Sequence, residues 1–414
     1  MSGRTTQDNK EINPTELKHK IDNSEDVFLL DVRTPQEYNS WKLSYNEHEN
    51  PKLIPVDHLF NNANNLQDEI PKDKEIITIC AHGQRSLMAA KLLTKLGYNV
   101  KSVKGGMAGW NKVYDISEIP IPDKAPFRIW QIRRVSKGCI SYVISSREDN
   151  NAIVIDPSRE INESFQKLST DYDLKITKLI DTHQHADNVS GIWELSKLLS
   201  TESNNVVVYL SSYEGYELDK NELNYKLMAN GDKISVGKNV ILNVIHTPGH
   251  TKGSMSFFIE HKKNTDSTNN DLHNDNNLSH YLFTGDSLFI DGVGRPDLRD
   301  QAEEFAGFLH ETYNKIIFKF PENTLILPTH FNVTSISLKH EVPLYDTLGS
   351  LRKKINLLSM NKDEFINSIT KTIPPKPSNY QIIISINKKM KPSLQAQIPD
   401  LEAGPNSCAI SLKS

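Results

Sequence analysis

The chain is poor in cysteine and carries little net charge. Cys80, Cys139 and Cys408 are its only cysteines in 414 residues, and three widely spaced thiols make a poor disulfide framework. We therefore expect a reducing compartment. The net charge is −4, and no long basic run accompanies an aromatic platform, so we expect no nucleic-acid partner.

Long apolar segments are also lacking. Residues 1–13 are polar, from which we expect no secretory signal, and Asp8 and Glu11 disfavour a transit peptide. No apolar run is long enough to cross a bilayer, so we expect no membrane association. A chain of 414 residues should instead form two or three domains, each with its own core.

Residues 13–115 alternate short apolar strands with helical stretches, which is typical of an α/β domain built on a parallel sheet with flanking helices. Residues 27–32 and 75–79 are predicted to be buried strands. The apolar residues of 86–96 recur at helical spacing, and this predicted helix stops before a glycine. The proline-bearing stretch 116–126 is predicted to be an inter-domain linker.

Residues 127–386 show many short strand candidates separated by helices such as 303–318, and they form the second predicted domain. Within it, 261–280 is rich in Asn, Asp, Ser and Thr and is predicted to be a disordered surface insertion. Residues 387–414 are expected to form a mobile C-terminal tail that contains Cys408.

Cys80 ends an apolar strand and opens a short loop that runs into a helix. Backbone N–H groups in such a loop, together with the positive end of the helix dipole, stabilise an anion at its centre. This field favours the thiolate as nucleophile, and Arg85 can fold back to hold an oxyanion or a terminal sulfur. The alternative is a buried, inert cysteine. The loop reads Cys80, Ala81, His82, Gly83, Gln84, Arg85, Ser86.

The N-terminal domain resembles the rhodanese family. The resemblance is carried by D-V-R at 31–33, E-Y at 37–38, the C-x4-R loop and G-G-M-A-G-W at 105–110. It implies that Cys80 carries a persulfide and passes the outer sulfur to a thiol, sulfite or cyanide. One departure is that the Gly-His-Ile turn usual after the E-Y pair is absent, and 39–51 replaces it. That loop borders the active site in relatives, so it bears on the choice of acceptor.

Three signature segments in the second domain each follow an apolar strand candidate. The strand candidates are 176–180, 240–245 and 281–283. Strand ends hold ligands at fixed distances while neighbouring loops admit a substrate, so the pattern predicts one metal site. The segments are T-H-Q-H-A-D at 182–187, H-T-P-G-H-T at 246–251 and F-T-G-D at 283–286.

The second domain resembles the metallo-β-lactamase fold, an α+β architecture in which two sheets form an αββα sandwich. In that superfamily T-H-x-H-x-D-H supplies two metals, and this chain has Asn188 in place of the last histidine. A neutral amide oxygen is a weaker zinc ligand than imidazole, which disfavours a dinuclear hydrolase. One ion on two histidines and one carboxylate matches the facial triad of non-haem Fe(II) oxygenases, which leaves positions open for substrate and dioxygen.

Among the branches of this fold, the chain is most similar to the persulfide dioxygenases. G-V-G-R-P-D-L at 292–298, L-P-T-H at 327–330 and P-P-K-P at 374–377 extend the likeness. Asn332 and Val333 stand where glutathione-using relatives often place a tyrosine. The resemblance implies one Fe(2+) per chain, held by His183, His250 and Asp286. It also implies that His185, Asp187 and His330 orient ligands and substrate, and that Arg295 clamps a carboxylate of the thiol carrier.

These observations predict a fused sulfur-metabolism enzyme. The second domain would oxidise glutathione persulfide, or a similar small persulfide, with O2 to sulfite, and Cys80 would transfer sulfane sulfur among persulfide, sulfite and thiosulfate. Two alternatives stay open: a glyoxalase II-type dizinc thioester hydrolase fused to a rhodanese, and a non-catalytic sulfur carrier or sensor. We expect small-molecule partners, a homodimer, and a cytoplasmic location with the mitochondrion as the alternative.

Overall fold

The computed structural model describes residues 10–411 apart from 160, 202–203, 220, 263–277, 299, 377–378 and 390–397. The described residues form three larger sheets, a short two-stranded ribbon and surrounding helices. Three short 3-10 helices also occur in the described part, at Ala63–Asp68, Ile317–Lys319 and Asn356–Ser359.

The first sheet is entirely parallel, as the alternation of strands and helices predicts. In the described part of the chain its strand order is β1-β5-β4-β2-β3. The predicted strands at 27–32 and 75–79 are confirmed, and the predicted helix at 86–96 begins two residues earlier. The elements are β1 (Glu11–Ile12), α1 (Pro14–Asp22), β2 (Val27–Asp31), α2 (Pro35–Ser40), β3 (Lys52–Leu53), α3 (Val56–Asn61), β4 (Glu75–Ile79), α4 (Gln84–Lys95), β5 (Val100–Val103) and α5 (Gly106–Trp110).

The start of the predicted linker is a strand of the second domain. Strand β6 (Tyr114–Glu118) pairs antiparallel with β7 (Phe127–Arg134). The expectation of a linker from residue 116 is therefore wrong for 116–118. Ile116, Ser117 and Glu118 show no alternation of apolar and polar residues long enough to predict a strand, and pairing with β7 makes them one.

The second domain contains two larger sheets. The described strands of the first follow the order β12-β11-β10-β9-β8-β7-β6, and those of the second the order β13-β14-β15-β16-β18-β19. The remaining elements are β8 (Ile140–Ser146), β9 (Asn151–Ile155), α6 (Asn162–Tyr172), β10 (Lys175–Ile180), α7 (Ile192–Leu199), β11 (Val207–Ser211), β12 (Tyr225–Met228), β13 (Lys233–Val236), β14 (Val240–His246), β15 (Met255–Lys262), β16 (Leu278–Gly285), β17 (Val293–Gly294), α8 (Ala302–Lys315), β18 (Leu325–Pro328), β19 (Asp346–Thr347), α9 (Leu348–Lys354), α10 (Lys362–Thr372), α11 (Tyr380–Lys389), α12 (Ile398–Leu401) and β20 (Ala409–Ile410).

These two sheets pack face to face, with helices on their outer faces. Successive residues of a strand point to opposite faces, so in β8 Tyr142 joins the core between the sheets while Val143 joins the core under α6 and α7. Leu282 of β16 packs beneath α8, α9 and α10. Every residue of β8 is buried, which explains its uninterrupted apolar run at 142–144. The predicted αββα sandwich is confirmed.

Two regions differ from the sequence-based expectation. The ends of the predicted insertion at 261–280 belong to strands β15 and β16, which pair with each other, and its centre lies outside the described residues. The expected mobile tail is wrong for its described parts, because α12 packs by Ile398 and β20 pairs with β17. In the described part of the chain, no helix has the length and apolar character that a membrane span requires.

The two domains are joined by a buried charge cluster around Asp115. Lys18 Nζ lies 2.8 Å from its carboxylate, and the Tyr45 hydroxyl donates to it at 2.9 Å. Arg133 and His340 of the second domain bind the same carboxylate. Burial opposes ionisation of Asp115, but the Arg133 guanidinium lowers its pKa to about 2. The contact therefore fixes the first domain against the second.

Candidate active sites

Cys80 lies at the carboxyl end of β4, at the entrance to α4. Its thiol is buried, and Sγ accepts hydrogen bonds from the Gly83 N–H at 3.1 Å and from the Ser86 hydroxyl at 3.3 Å. Gly83 has φ of +93°, a left-handed conformation that few other residues adopt. These donors and the positive end of α4 stabilise negative charge on sulfur, so the loop can hold a thiolate or a persulfide.

The G-G-M-A-G-W segment closes the loop from behind. The Met107 N–H donates to the Cys80 carbonyl at 2.7 Å, and the Ala108 N–H donates to the Ala81 carbonyl at 3.0 Å. A Cβ atom on Gly106 would lie 2.2 Å from the Cys80 carbonyl oxygen, and Gly106 has φ of +59°. Glycine is thus required for this close approach of two backbones.

Arg85 lies at the rim of the loop, where its guanidinium pairs with Glu37. The two nitrogen–oxygen distances are 2.9 and 2.5 Å. The hydrogen bond from Arg85 lowers the Glu37 pKa to about 2, with burial opposing and the Thr34 N–H assisting. In this structure Arg85 is therefore held by Glu37, and its action on a terminal sulfur stays a prediction.

The loop that replaces the Gly-His-Ile turn contacts the second domain. Trp41 Nε1 donates to the Ser136 carbonyl at 2.9 Å, and Arg33 donates to the Trp41 carbonyl at 2.5 Å. The departure from the family pattern thus lies at the domain interface, beside the Cys80 loop.

The loops that follow β10, β14 and β16 bring His183, His250 and Asp286 together at one end of the sandwich. All three side chains are buried. Asp286 Oδ2 lies 3.5 Å from His183 Nε2 and 3.4 Å from His250 Nε2. None of these three atoms has a hydrogen-bond partner among the described residues. Buried polar atoms are otherwise almost always partnered, so the cluster fits a cation.

Each of the two histidines is oriented by a hydrogen bond at its Nδ1 atom. His250 Nδ1 lies 2.9 Å from the Arg295 carbonyl, which can only accept. Thr182 Oγ1 donates to Asp156 at 2.8 Å and therefore accepts from His183 Nδ1, also at 2.8 Å. Both Nε2 atoms thus keep a lone pair, as metal-binding imidazoles require. Burial and the nearby His185 lower the His183 pKa well below its usual value, which keeps this imidazole neutral.

His330 links Asp286 to Asp187. Its Nδ1 lies 2.6 Å from Asp286 Oδ1, and its Nε2 lies 3.0 Å from Asp187 Oδ2. Burial opposes protonation, but the two carboxylates raise the His330 pKa well above its usual value. A positive imidazolium between the two carboxylates offsets one of their two negative charges and leaves Asp286 Oδ2 directed at the histidines.

His185 is turned toward Asp156. Its Nε2 lies 3.1 Å from Asp156 Oδ1, and this carboxylate raises the His185 pKa to about 9 against the effect of burial. Asp156 also accepts from the Thr182 N–H at 2.7 Å. Sequence reasoning missed Asp156, although it directly follows strand β9 and so lies at the same strand ends as the three motifs.

The substrate role expected for Arg295 is contradicted by its surroundings. The side chain is fully buried, and its guanidinium pairs with Asp297 at 2.7 and 3.0 Å. The remaining donors bind the carbonyls of Pro374 and Ser407. Arg295 therefore ties the chain around Pro374 and Ser407 to the loop that contains Asp297. Its guanidinium has no pair of donors left over for a carboxylate ligand.

Two residues near the C-terminus, Asn387 and Glu402, hold the loop that follows β10 and carries His183. The sequence alone did not identify them. Asn387 Nδ2 donates to the carbonyls of His185 and Asn188, both at 2.9 Å. Glu402 accepts from the Val189 N–H at 2.7 Å and pairs with buried Arg134 at 2.6 Å. An Asn and a Glu in a polar terminal stretch carry no local signal, so only the fold identifies them.

Two thiols adjoin His330. Cys139 lies within 4.8 Å of His330 and Asp187, and Cys408 lies within 4.8 Å of His330 and Asp286. Both cysteines are buried. Burial raises the pKa of Cys408 well above its usual value, which keeps this thiol protonated.

Comparisons with known proteins agree with this division of the chain. A family profile described as "Rhodanese-like domain" matches residues 13–113, which end just before β6. The mitochondrial persulfide dioxygenase ETHE1 of Bos taurus is 27% identical over 266 residues, covering 64% of this chain and 89% of that protein. A probable hydroxyacylglutathione hydrolase of Schizosaccharomyces pombe is 28% identical over 193 residues, covering 46% and 62%.

Among solved structures, a metallo-β-lactamase from Staphylococcus aureus subsp. aureus COL is similar to this chain with a TM-score of 0.54 and 28% identity, covering 66% of this chain and 75% of that one. The likeness agrees with the sandwich described above. Together with the similarity to persulfide dioxygenases, it implies a metal site and small-molecule substrates and supports an enzyme of sulfur metabolism.

Proposed function

Because the chain joins a rhodanese-like domain to a metallo-β-lactamase-fold region homologous to persulfide dioxygenases, we propose that it is a bifunctional sulfur-metabolism enzyme. The second domain oxidises glutathione persulfide or a similar small persulfide, and the first transfers sulfane sulfur. One observation carries the oxidative half: two imidazole Nε2 atoms and one carboxylate oxygen converge in a buried cluster without hydrogen-bond partners among the described residues.

His183, His250 and Asp286 would hold one Fe(2+) per chain. When bound, this ion supplies oxygen activation and open coordination positions for substrate and dioxygen. The overall reaction is RS–SH + O2 + H2O → RSH + sulfite + two protons. Burial of the cluster keeps bulk water from it, and protonated His330 offsets one of the two negative charges of Asp187 and Asp286.

In the first domain, Cys80 would carry the sulfane sulfur. The Gly83 N–H and the Ser86 hydroxyl hold the inner sulfur, and the end of α4 favours the negative charge of the persulfide. The rhodanese half would exchange this sulfur with thiosulfate, sulfite or a thiol. Both domains share sulfur intermediates, and fusion raises the local concentration of those intermediates.

The deciding experiment measures oxygen uptake by iron-loaded protein with added glutathione persulfide. We expect sulfite to form in equal amount to the oxygen consumed and one iron per chain by metal analysis. Asp286→Asn should lose both, with Glu311→Gln on the exposed face of α8 as a matched acid-to-amide control. A Cys80→Ser protein should keep full oxygen uptake, because its change lies in the other domain.

The similarity to a hydroxyacylglutathione hydrolase supports a second candidate, a dizinc thioester hydrolase. Two zinc ions per chain and hydrolysis of a glutathione thioester would favour that candidate. The absence of both oxygen uptake and hydrolysis would favour a non-catalytic sulfur carrier or sensor.

We propose that the enzyme is located in the cytoplasm. The alternative is the mitochondrion, which is the location given in the name of the bovine relative. The three free cysteines support a reducing compartment. We also propose a homodimer, which sedimentation equilibrium tests directly.

A further inference from the structure

Asp181 carries a buried carboxylate that the proposed function does not use. The residue directly follows β10, and it is 1% exposed. Neither oxygen of its side chain has a hydrogen-bond partner among the described residues. An ionised carboxylate without a partner is among the most costly groups to bury. We therefore looked for a group beside it that would bring a positive charge.

The neighbouring strand ends in a second carboxylate at the same edge of the sheet. Strands β9 and β10 are parallel, and Ile155 pairs with Ile180 at their carboxyl ends. The next residue in each strand is an aspartate, Asp156 in one and Asp181 in the other. Asp156 is also buried. The register of two adjacent strands therefore places two buried acids next to each other.

His185 completes a set of possible metal ligands. One ligand atom from each of Asp156, Asp181 and His185 lies within 4.8 Å of the other two. His185 Nε2 and Asp156 Oδ1 are 3.1 Å apart, and all three side chains are buried. With both oxygens of Asp181, these atoms make four donors of the types that zinc binds, which is the number of ligands in a structural zinc site.

The charges of this cluster favour a divalent cation over a proton. With His185 protonated, the two carboxylates and the imidazolium together carry one net negative charge. A divalent ion binds the neutral imidazole, displaces that proton and brings the sum to zero. Because buried net charge is costly, the ion is the better counter-charge for Asp156 and Asp181.

We propose that Asp156, Asp181 and His185 form a second cation site that binds one divalent ion of the zinc type, apart from the proposed iron cluster. Binding releases one proton from His185. The ion joins the end of β9 to the loop that follows β10 and thereby stiffens the loop that carries the iron ligands. Asp187 and His330 are not part of this site, and the site goes beyond the proposed function.

The test counts metals in protein that is loaded anaerobically with Fe(2+) and then dialysed against Zn(2+). We expect one iron and one zinc per chain in the unaltered protein. Asp181→Asn should keep its iron and lose its zinc, because an amide oxygen is a weak zinc ligand. Asp171→Asn, which changes an exposed aspartate near the end of α6, is the matched control and should keep both metals.

A second measurement on the unaltered protein does not depend on the folding of a variant. X-ray absorption at the zinc edge should show a shell of oxygen neighbours with one imidazole and no sulfur. Cys139 and Cys408 belong to other groups of buried side chains that could hold a metal ion. Sulfur bound to the zinc would therefore place the ion elsewhere and overturn the proposal.

One iron and no zinc in the unaltered protein would overturn this inference alone and leave the proposed function standing. Zinc that enters only as iron leaves would also overturn it. So would zinc that is lost in Asp187→Asn and kept in Asp181→Asn. Protein that binds no iron but holds one zinc dependent on Asp181 would contradict the proposed function and support this site.

Discussion

Replacing Thr182 with valine should weaken metal binding without touching a ligand. The Thr182 hydroxyl donates to Asp156 and accepts from His183 Nδ1, both at 2.8 Å. It therefore fixes the tautomer in which His183 Nε2 carries the lone pair. Valine has the same shape, so the change removes both hydrogen bonds of the hydroxyl and leaves the packing in place. Thr182→Ser keeps the hydroxyl and is the matched control.

The expected loss of Fe(2+) affinity is the one that follows when a metal-binding histidine loses the hydrogen-bond partner of its other ring nitrogen. Such losses typically cost about 10- to 100-fold in metal affinity, which corresponds to about 1.4–2.7 kcal/mol. The estimate agrees with the roughly 1–3 kcal/mol cost of a buried donor without an acceptor, because His183 is almost fully buried.

The assay is competition for Fe(2+) between the protein and a chelator under anaerobic conditions, followed by metal analysis. Thr182→Val should show the weaker affinity, and Thr182→Ser should stay within about threefold of the unaltered protein. Sulfur transfer by Cys80 in the other domain should be unchanged in both variants, which checks that the fold is intact.

Unaltered Fe(2+) affinity in Thr182→Val would refute the reasoning, because the hydroxyl would then not set the orientation of His183. An equal loss in the valine and serine variants would also refute it, since the hydroxyl would not be the cause.

Three further predictions test other parts of the molecule. Cys80→Ser should abolish sulfur transfer while oxygen uptake with added persulfide persists, and equal loss of both would show that the sites are not independent. Glu402→Gln leaves buried Arg134 unpaired and should lower the free energy of unfolding by about 3–5 kcal/mol in urea titrations, whereas the exposed change Glu311→Gln should cost less than about 1 kcal/mol. Because Arg85 lowers the Glu37 pKa from 4.5 to about 2, the stabilisation by this carboxylate is present above about pH 4.5 and is lost as the pH falls toward 2. The stability difference between the unaltered protein and Glu37→Gln should therefore shrink over that interval, and a constant difference would contradict the ion pair.

Much of the architecture was predictable because local patterns and strand ends agree with the fold. The apolar runs at 27–31 and 75–79 are strands of a parallel sheet, and the residues that follow β10, β14 and β16 meet at one end of the sandwich. Sheet geometry brings strand ends together, so motif order was enough to place His183 beside His250.

Other features had no local signal. Residues 114–118 form a strand only because β7 offers an edge. Arg295 was expected to face a substrate, but Asp297 and the returning C-terminal chain surround it with acceptors.

By itself, the sequence predicted the two fold types and brought forward the candidate residues of both sites, because these depend on periodicity and on short motifs. The tertiary structure decided how those residues are held. Asp156, Asn387 and Glu402 act through contacts with residues far away in sequence, and such contacts exist only once the chain has folded. A cavity between Trp41 and the C-terminal segment likewise arises from the packing of one domain on the other.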